Sequence, residues 1–407
     1  MSQRATFAPA LIALTLLSIT SLAPSCGPSE QPNRPGDHAY VMRQLIQHGD
    51  LIYATGHFRE PENAAGSKLL GHQMLVVLDA SDPAKPTFVA EQDLLATAPF
   101  AVMGGELIAL QHSIDETALG AEGNPPSQPI RVKRYSLSDA KNPTLAGEFE
   151  LPGTERLIFQ PPRRLDDTWF LVSLESSGEL PIAESVTWLI APSAPPGQER
   201  VSSIPAACPV NAFSGGRLWC FTGIPQVELP IAAAYDLAAD GTLTAAGTTP
   251  LPAALNQPRQ ATALPDGRVA LFAASGLYLL SDDGSATLSV DSSRADFESS
   301  LVSVYAPPSQ PGTLLVRSRP ELMRVSATTL ATTATLGYPG ETYSNYERAG
   351  QISPFGAPSS GLAMAAMGDY GVLIFSDDGD ALEVVGGYYR RFGTSWLYDD
   401  DLTAGNY

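Results

Sequence analysis

One module recurs along the whole chain, and that recurrence restricts the fold more than any other property of the sequence. It opens at Gly49-Asp50-Leu51-Ile52-Tyr53-Ala54-Thr55-Gly56. It continues through Met74-Leu75-Val76-Val77-Leu78-Asp79-Ala80-Ser81-Asp82-Pro83-Ala84-Lys85-Pro86 into Thr87-Phe88-Val89-Ala90. This reads as a hairpin turn, two apolar strands, a polar Ser-Asp-Pro-x-x-Pro turn and a further strand. A second copy runs from Gly105-Glu106-Leu107-Ile108-Ala109-Leu110 to Val132-Lys133-Arg134-Tyr135-Ser136-Leu137-Ser138-Asp139-Ala140-Lys141-Asn142-Pro143-Thr144-Leu145-Ala146-Gly147.

Seven apolar runs mark the register, starting at residues 51, 107, 169, 218, 269, 314 and 362. Their spacing brackets the roughly 40–50-residue period of propeller blades, with insertions in the early units. Most marks follow Gly- or Asp-rich turns, which tolerate the positive φ that tight antiparallel hairpins need. Each unit then supplies a third strand, such as Met74–Asp79 or Ile130–Leu137, and a fourth after a polar turn, such as Thr87–Glu91 or Thr144–Phe149. Past residue 40 no long stretch carries helical apolar spacing free of Gly and Pro, and the chain holds 35 of each, so a helical solenoid is disfavoured. Four short strands in each of seven units predict an all-β, single seven-bladed β-propeller over residues 40–393.

The Leu75–Pro86 and Tyr135–Pro143 segments resemble the LVIVD family of propeller repeats. Units three to seven lack the Asp-Pro turn. The resemblance implies a bacterial extracytoplasmic propeller, with Asp82 and Pro83 shaping a turn between outer strands rather than holding a ligand.

Arg4 precedes an apolar stretch, Phe7–Ile19, too short and too early to span a bilayer ahead of a folded domain. It fits a secretory leader. Leu22-Ala23-Pro24-Ser25-Cys26 then resembles a bacterial lipobox, which implies lipidation at Cys26. Residues 1–26 are read as the signal peptide and 27–39, rich in Pro, Gly and polar residues, as a flexible tether. Several acyl chains would anchor stably, and the class rule for Gly27 favours the bacterial outer membrane, with the exposed side open. Ordinary cleavage near Ser25 would instead give a soluble exported protein.

Forty-three Asp and Glu against 24 Lys and Arg give a net charge of −19. No basic footprint exists for nucleic acid or for anionic headgroups. Cys208 and Cys220 flank a Gly-Gly turn; a hairpin folded about Ser214 would oppose them within disulfide range, and export favours the bond.

All five histidines fall between His38 and His112. His57 and His72 bound the long second-to-third-strand connection of unit one, and His112 opens that of unit two. Such connections share one propeller face, so His57, His72 and His112 could converge there beside Glu60, Asp115 and Glu116, a set a transition metal would accept; scattered surface histidines are the plainer account. These connections are long in units one to four and short in units five to seven, and long loops on a rigid scaffold commonly carry recognition. Asp-Asp-Gly at 282–284 and 377–379 reads as hairpin turns, since the remaining calcium ligands are missing. Aromatics at Tyr388-Tyr389-Arg390-Arg391-Phe392 and Trp396-Leu397-Tyr398 suggest a ring-closing element that continues into the tail, 394–407, or else a sugar or peptide site. No nucleophile elbow or phosphate loop is present.

These observations lead to a lipid-anchored, monomeric envelope propeller with no cofactor, binding a protein or glycan partner without catalysis. The alternatives are a metal-dependent envelope enzyme using the His57/His72/His112 face and a structural part of an outer-membrane assembly.

Overall fold

The computed structural model describes residues 39–59, 69–96, 100–111, 130–151, 157–159, 163–176, 186–194, 197–222, 229–295, 297, 303–317, 321–337, 352–357, 360–366 and 371–388. Blade 1 comprises β1 (Ala39–His48), β2 (Leu51–Arg59), β3 (Leu69–Asp79) and β4 (Thr87–Ala96). Blade 2 comprises β5 (Phe100–Met103), β6 (Glu106–Gln111), β7 (Ile130–Ser136) and β8 (Thr144–Leu151). In blade 3 the inner strand is split into β9 (Leu157–Phe159) and β10 (Arg163–Arg164), both pairing β11 (Phe170–Ser176), followed by β12 (Val186–Ile190) and β13 (Arg200–Ile204).

Blade 4 is β14 (Val210–Ser214), β15 (Arg217–Thr222), β16 (Ile231–Leu237) and β17 (Leu243–Pro250). Blade 5 is β18 (Pro258–Ala263), β19 (Val269–Ala273), β20 (Gly276–Asp282) and β21 (Leu288–Arg294). Blade 6 is β22 (Ser303–Tyr305), β23 (Thr313–Arg317), β24 (Glu321–Ser326) and β25 (Thr332–Gly337). Blade 7 is β26 (Ile352–Pro354), β27 (Leu362–Ala366), β28 (Val372–Asp377) and β29 (Leu382–Tyr388). All seven sheets are antiparallel meanders, and the helix among the described residues is a single 3₁₀ turn at Ala253–Leu255. This is the seven-bladed propeller that the repeat predicts.

Among the described residues the apolar core divides into seven clusters, one at each blade–blade junction. Leu51, Tyr53, Leu75 and Val77 meet Leu107, Ala109 and Tyr135 between blades 1 and 2. Leu45, Ile52 and Val76 meet Phe355, Met364 and Ile374 between blades 1 and 7. Second and third strands are therefore covered on both faces. Val269–Ala273 is buried at every position, whereas the fourth strand Thr332–Gly337 alternates toward solvent. This explains why the register marks read as continuous apolar runs rather than alternating patterns.

A second regularity holds the ring. In every blade the third-to-fourth-strand ladder slips by one residue, at Val77/Leu78, Arg134/Tyr135, Leu189/Ile190, Ala234/Tyr235, Leu279/Leu280, Arg324/Val325 and Ile374/Phe375. The fourth-strand residue paired just before each bulge is small: Ala90, Gly147, Ser202, Gly247, Ser292, Ala334 and Gly386. There the turn of the next blade seats. Ser202 Oγ donates to Gly241 O at 2.7 Å, and a Cβ on Gly247 would lie 3.1 Å from Ala286 O. The bulge increases local twist, and the small residue lets backbone approach backbone.

Candidate functional site

The meander sorts the connections onto two faces. First-to-second and third-to-fourth turns emerge on a lower face; second-to-third connections and blade-to-blade links emerge on an upper face. The lower face is built from tight polar turns. Gly104-Gly105 and Gly215-Gly216 carry positive φ at both positions, as two-residue hairpins require. Asp82 accepts from Ala84 N at 3.0 Å and Asp139 from Lys141 N at 3.0 Å. The Ser-Asp-Pro motif is thus a self-bonded turn, as its sequence implies. The same chemistry occupies the Asp-Asp-Gly sites: Asp282 accepts from Gly284 N and Asp283 from Ser285 N. Hydrogen bonds from Ala381 N and Asp380 N likewise hold the Asp378 carboxyl below the usual carboxylate range.

On the upper face the strand bounds preserve the expected asymmetry. The second-to-third connection of blade 2 spans residues 112–129, whereas that of blade 5 is Ala274-Ser275. Blade 1 departs from expectation. Its connection is residues 60–68, because β2 and β3 continue as a paired hairpin beyond the length of β6 or β19. The extra three or four residues lift this hairpin roughly 10–14 Å further along the strand direction. His57 and His72 consequently belong to strands rather than to a loop, with His57 opposite Gln73. Glu60, His112, Asp115 and Glu116 lie outside the described residues, as do Cys26 and residues 389–407. Among the described residues no three His, Cys, Asp or Glu side chains gather as metal ligands. Blades 1 and 7 each take all four strands from their own segment, so among the described residues no strand is exchanged across the seam.

Cys208 and Cys220 form the disulfide, with Cα atoms 5.0 Å apart. The register differs from a hairpin about Ser214. The turn is Gly215-Gly216, Cys220 pairs with Asn211, and Cys208 precedes β14 in the link from blade 3. Both cysteines are buried among Leu171, Leu189, Ile204 and Leu218, between blades 3 and 4. Cys208 N donates to Ser173 Oγ at 2.7 Å, and Asn211 Nδ2 to Cys208 O at 3.0 Å.

The inner strands are joined by side chains. Arg163 donates to Asn211 O in blade 4 and, at 2.9 Å, to Ala261 O in blade 5. Burial lowers its guanidinium to about 10. The Gln260 amide pairs with both N–H and C=O of Val304, imitating a strand neighbour.

A cleft of about 220 Å³ opens on the lower face between blades 6 and 7. Tyr305, Pro307, Pro308, Leu315, Pro354, Phe355 and Leu362 make its walls largely apolar; Gln310 and Asp377 are polar lining residues. Burial pushes the Tyr305 hydroxyl up to about 12. Asp377, 3 % exposed, receives Arg324 Nη1 on Oδ1 at 2.6 Å, while Oδ2 has no hydrogen-bond partner among the described residues. Gln310 Nε2 donates to Asp377 O at 2.9 Å. Sequence reasoning missed this cleft. Its signal is the long, proline-bearing first-to-second connections, residues 306–312 and 355–361, where blades 1, 2 and 4 use two-residue turns.

No protein-family model and no curated protein matches the chain. Solved structures do. Hsv2 of Kluyveromyces lactis superposes with a TM-score of 0.53 at 9% identity, over 85% of this chain and 98% of that one. A chain of the outer-coat vertex of COPII on membranes gives 0.50 at 10% identity, over 89% and 91%. At such identities the likeness concerns the propeller fold alone.

Proposed function

We propose that this chain is a binding module of a bacterial envelope, exported, lipid-anchored at Cys26, and recruiting a protein or glycan partner over the upper face of blades 1 to 4 without catalysing a reaction. The carrying observation is the lengthened β2–β3 hairpin of blade 1, which extends toward the upper face beside the longest connections in the ring. A rigid scaffold with variable loops on one face is a common recognition design. The similar COPII chain comes from a coat assembled on membranes, a comparable use of a propeller within an assembly. The leader-like residues 7–19, Cys26 and the tether support the anchored location.

The test compares the full chain with a variant whose 60–68 and 112–129 segments are replaced by tight turns, in crosslinking pull-downs from solubilised envelopes. Partner recovery is lost in the variant, while its thermal midpoint stays near that of the parent. Unchanged recovery would place recognition elsewhere. Cys26→Ser should move the protein to the soluble fraction; a mutant that stays in the membrane would refute the anchor.

A further inference from the structure

We propose that the upper face of blades 4 and 5 rests on a neutral, zwitterionic lipid bilayer, with Leu229 and Ile231 entering the interfacial layer beside Pro250, Pro252, Ala253 and Ala254. This orientation rests on the anchor at Cys26 proposed above, and it places the lipid contact across the ring from the raised hairpin of blade 1.

The patch is apolar and uncharged. Among the described residues four large apolar side chains are exposed, at Leu145, Leu229, Ile231 and Val290. Leu145 and Val290 lie singly on fourth strands. Leu229, 68 % exposed, and Ile231 stand together where the second-to-third connection of blade 4 enters β16. Pro250 is exposed and pairs with Ile231. Pro252, Ala253 and Ala254 continue the exposed surface along the link to blade 5. Residues 229–235, 241–258 and 269–280 contain no Asp, Glu, Lys, Arg or His, in a chain of net charge −19. Glu228 and Arg259 border these stretches in the sequence, whereas Asp236, Asp240, Arg268 and Asp282 belong to the lower ends of the blades. Single exposed apolar residues are ordinary, but a contiguous apolar patch marks a contact.

The patch also leaves water at little hydrogen-bonding cost. Pro230, Pro250 and Pro252 carry no N–H. Pro230 O accepts from Leu251 N and Pro252 O from Leu255 N, both at 2.8 Å. Ala253 O accepts from Asn256 N, and Ala254 O from the Ser275 hydroxyl. Carbonyls that keep their partners inside the protein can enter an apolar phase, where an unpaired one is expensive. The same bonds hold the surface in shape. The 3₁₀ turn Ala253–Leu255 is fixed by Leu255, buried in the cluster between blades 4 and 5, so little ordering entropy opposes contact.

The chain itself brings a bilayer to this face. β1 runs from the upper face down to the Gly49-Asp50 turn, so Ala39 stands at its upper end. Cys26 lies 13 residues before Ala39. A tether of that length spans about 20 Å root-mean-square and at most about 45 Å. A lipid at Cys26 therefore holds the upper face toward the bilayer and leaves the lower face behind the thickness of the ring. Blade 1 packs against blades 2 and 7, so blades 4 and 5 lie half a turn around the ring. The anchor enters on one side and the patch sits on the other, two points that set the tilt. The net charge of −19 disfavours anionic headgroups, which selects a neutral lipid surface.

For the test, the full chain, its Cys208–Cys220 bond intact, is coupled through Cys26 to a maleimide lipid in phosphatidylcholine vesicles. The vesicles also carry a photoactivatable diazirine lipid, and crosslinked residues are mapped by mass spectrometry. Chemical coupling makes the result independent of whether the cell lipidates Cys26, which the Cys26→Ser fractionation tests separately. Crosslinks should concentrate at residues 229–231 and 250–254, with Leu145 and Val290 as exposed apolar controls. Leu229→Glu with Ile231→Glu should lower crosslinking at 250–254 by about five- to tenfold, the scale set by burying one apolar side chain, at an unchanged thermal midpoint. Replacing part of the phosphatidylcholine by phosphatidylglycerol should reduce crosslinking at low salt. The orientation is overturned by crosslinks no denser at the patch than at Val290, by a double variant that crosslinks like its parent, or by denser crosslinks on the anionic vesicles. Lipid-free patches together with dimers of the uncoupled chain in sedimentation would assign the surface to a second copy instead.

Discussion

Ring closure can be tested at one atom. Blade 1 uses residues 39–96 and blade 7 uses 352–388, and among the described residues no backbone ladder crosses their seam. Closure rests on the Leu45–Ile374 apolar cluster, on the Gln47–Gly356 hydrogen bond, and on the Pro83-Ala84 turn seated against Gly386. A Cβ on Gly386 would collide with Pro83 O and lie 2.6 Å from Ala84 O. Both obstacles are backbone in a turn fixed by the Asp82 hydrogen bonds, so neither can rotate away. Overpacking of this kind costs about 1–3 kcal/mol. Gly337 provides the control: it also lies in a fourth strand, and a Cβ there meets nothing within 4 Å. Gly337→Ala should be neutral or stabilising by up to about 1 kcal/mol. Because the other six junctions are untouched, Gly386→Ala should open the seam locally before the ring unfolds. Hydrogen exchange should therefore accelerate in β1 and β29 by about 5- to 150-fold, the span that 1–3 kcal/mol gives, with little change in β18–β20. Equal stability of the two alanine variants, with unaltered exchange at the seam, would refute the closure described.

Two further outcomes follow from the turns and the disulfide. Cys208→Ala with Cys220→Ala opens a loop with a sequence separation of 12, and the chain-entropy model gives a loss of about 3 kcal/mol; exchange should rise first in β14 and β15, and thiol labelling of the unreduced, denatured parent should find neither cysteine. Labelling of both would remove the bond from the account. The Asp139, Asp240 and Asp283 carboxyls are held low by hydrogen bonds from Asn142, Thr242 and Ser285 respectively. Since their folded values lie below the unfolded one of about 3.9, their contribution is present above that pH and is lost as pH falls through the folded values; carboxyl NMR titrations showing ordinary Asp values would contradict the bonded turns.

The repeat was legible because second and third strands are buried on both faces. Val269–Ala273 and Val186–Ile190 were placed to the residue for this reason, and the mark at Trp169 misses β11 by one position. Inner strands were not legible. Arg163–Arg164 and Ser303–Tyr305 are short and mix polar with apolar residues, because side-chain bonds such as Gln260 to Val304 replace part of the packing. The small residue before each bulge was invisible for another reason: Ala90, Ser202 and Gly386 share no local pattern and align only once strand pairing is known. The disulfide partners followed from the Gly-Gly turn, but their register did not, since the turn centres on residues 215 and 216 rather than 214. Similarly, His57 and His72 read as loop boundaries because nothing local tells a strand that it will continue past its ring.

The two faces differ in how much freedom the ring leaves them. Lower-face turns also form the junctions: Tyr53 Oη donates to Ala140 O, Arg134 to Pro192 O, and Arg294 to Leu330 O, each from one blade into the turn of the next. A lengthened turn there would lose its seat on the preceding blade. Loop closure grows only slowly with length, so the long second-to-third connections of blades 1 to 4 add little entropic cost to the ring. The first-to-second connections of blades 6 and 7 are longer than the two-residue turns and dock through other groups, Gln310 Nε2 on Asp377 O and Gly356 N on Gln47 Oε1, and the cleft opens between them. An insertion between Asp139 and Asn142 should release the Tyr53 and Lys141 contacts and loosen blade 2 from blade 1, which hydrogen exchange in β2 and β6 would report.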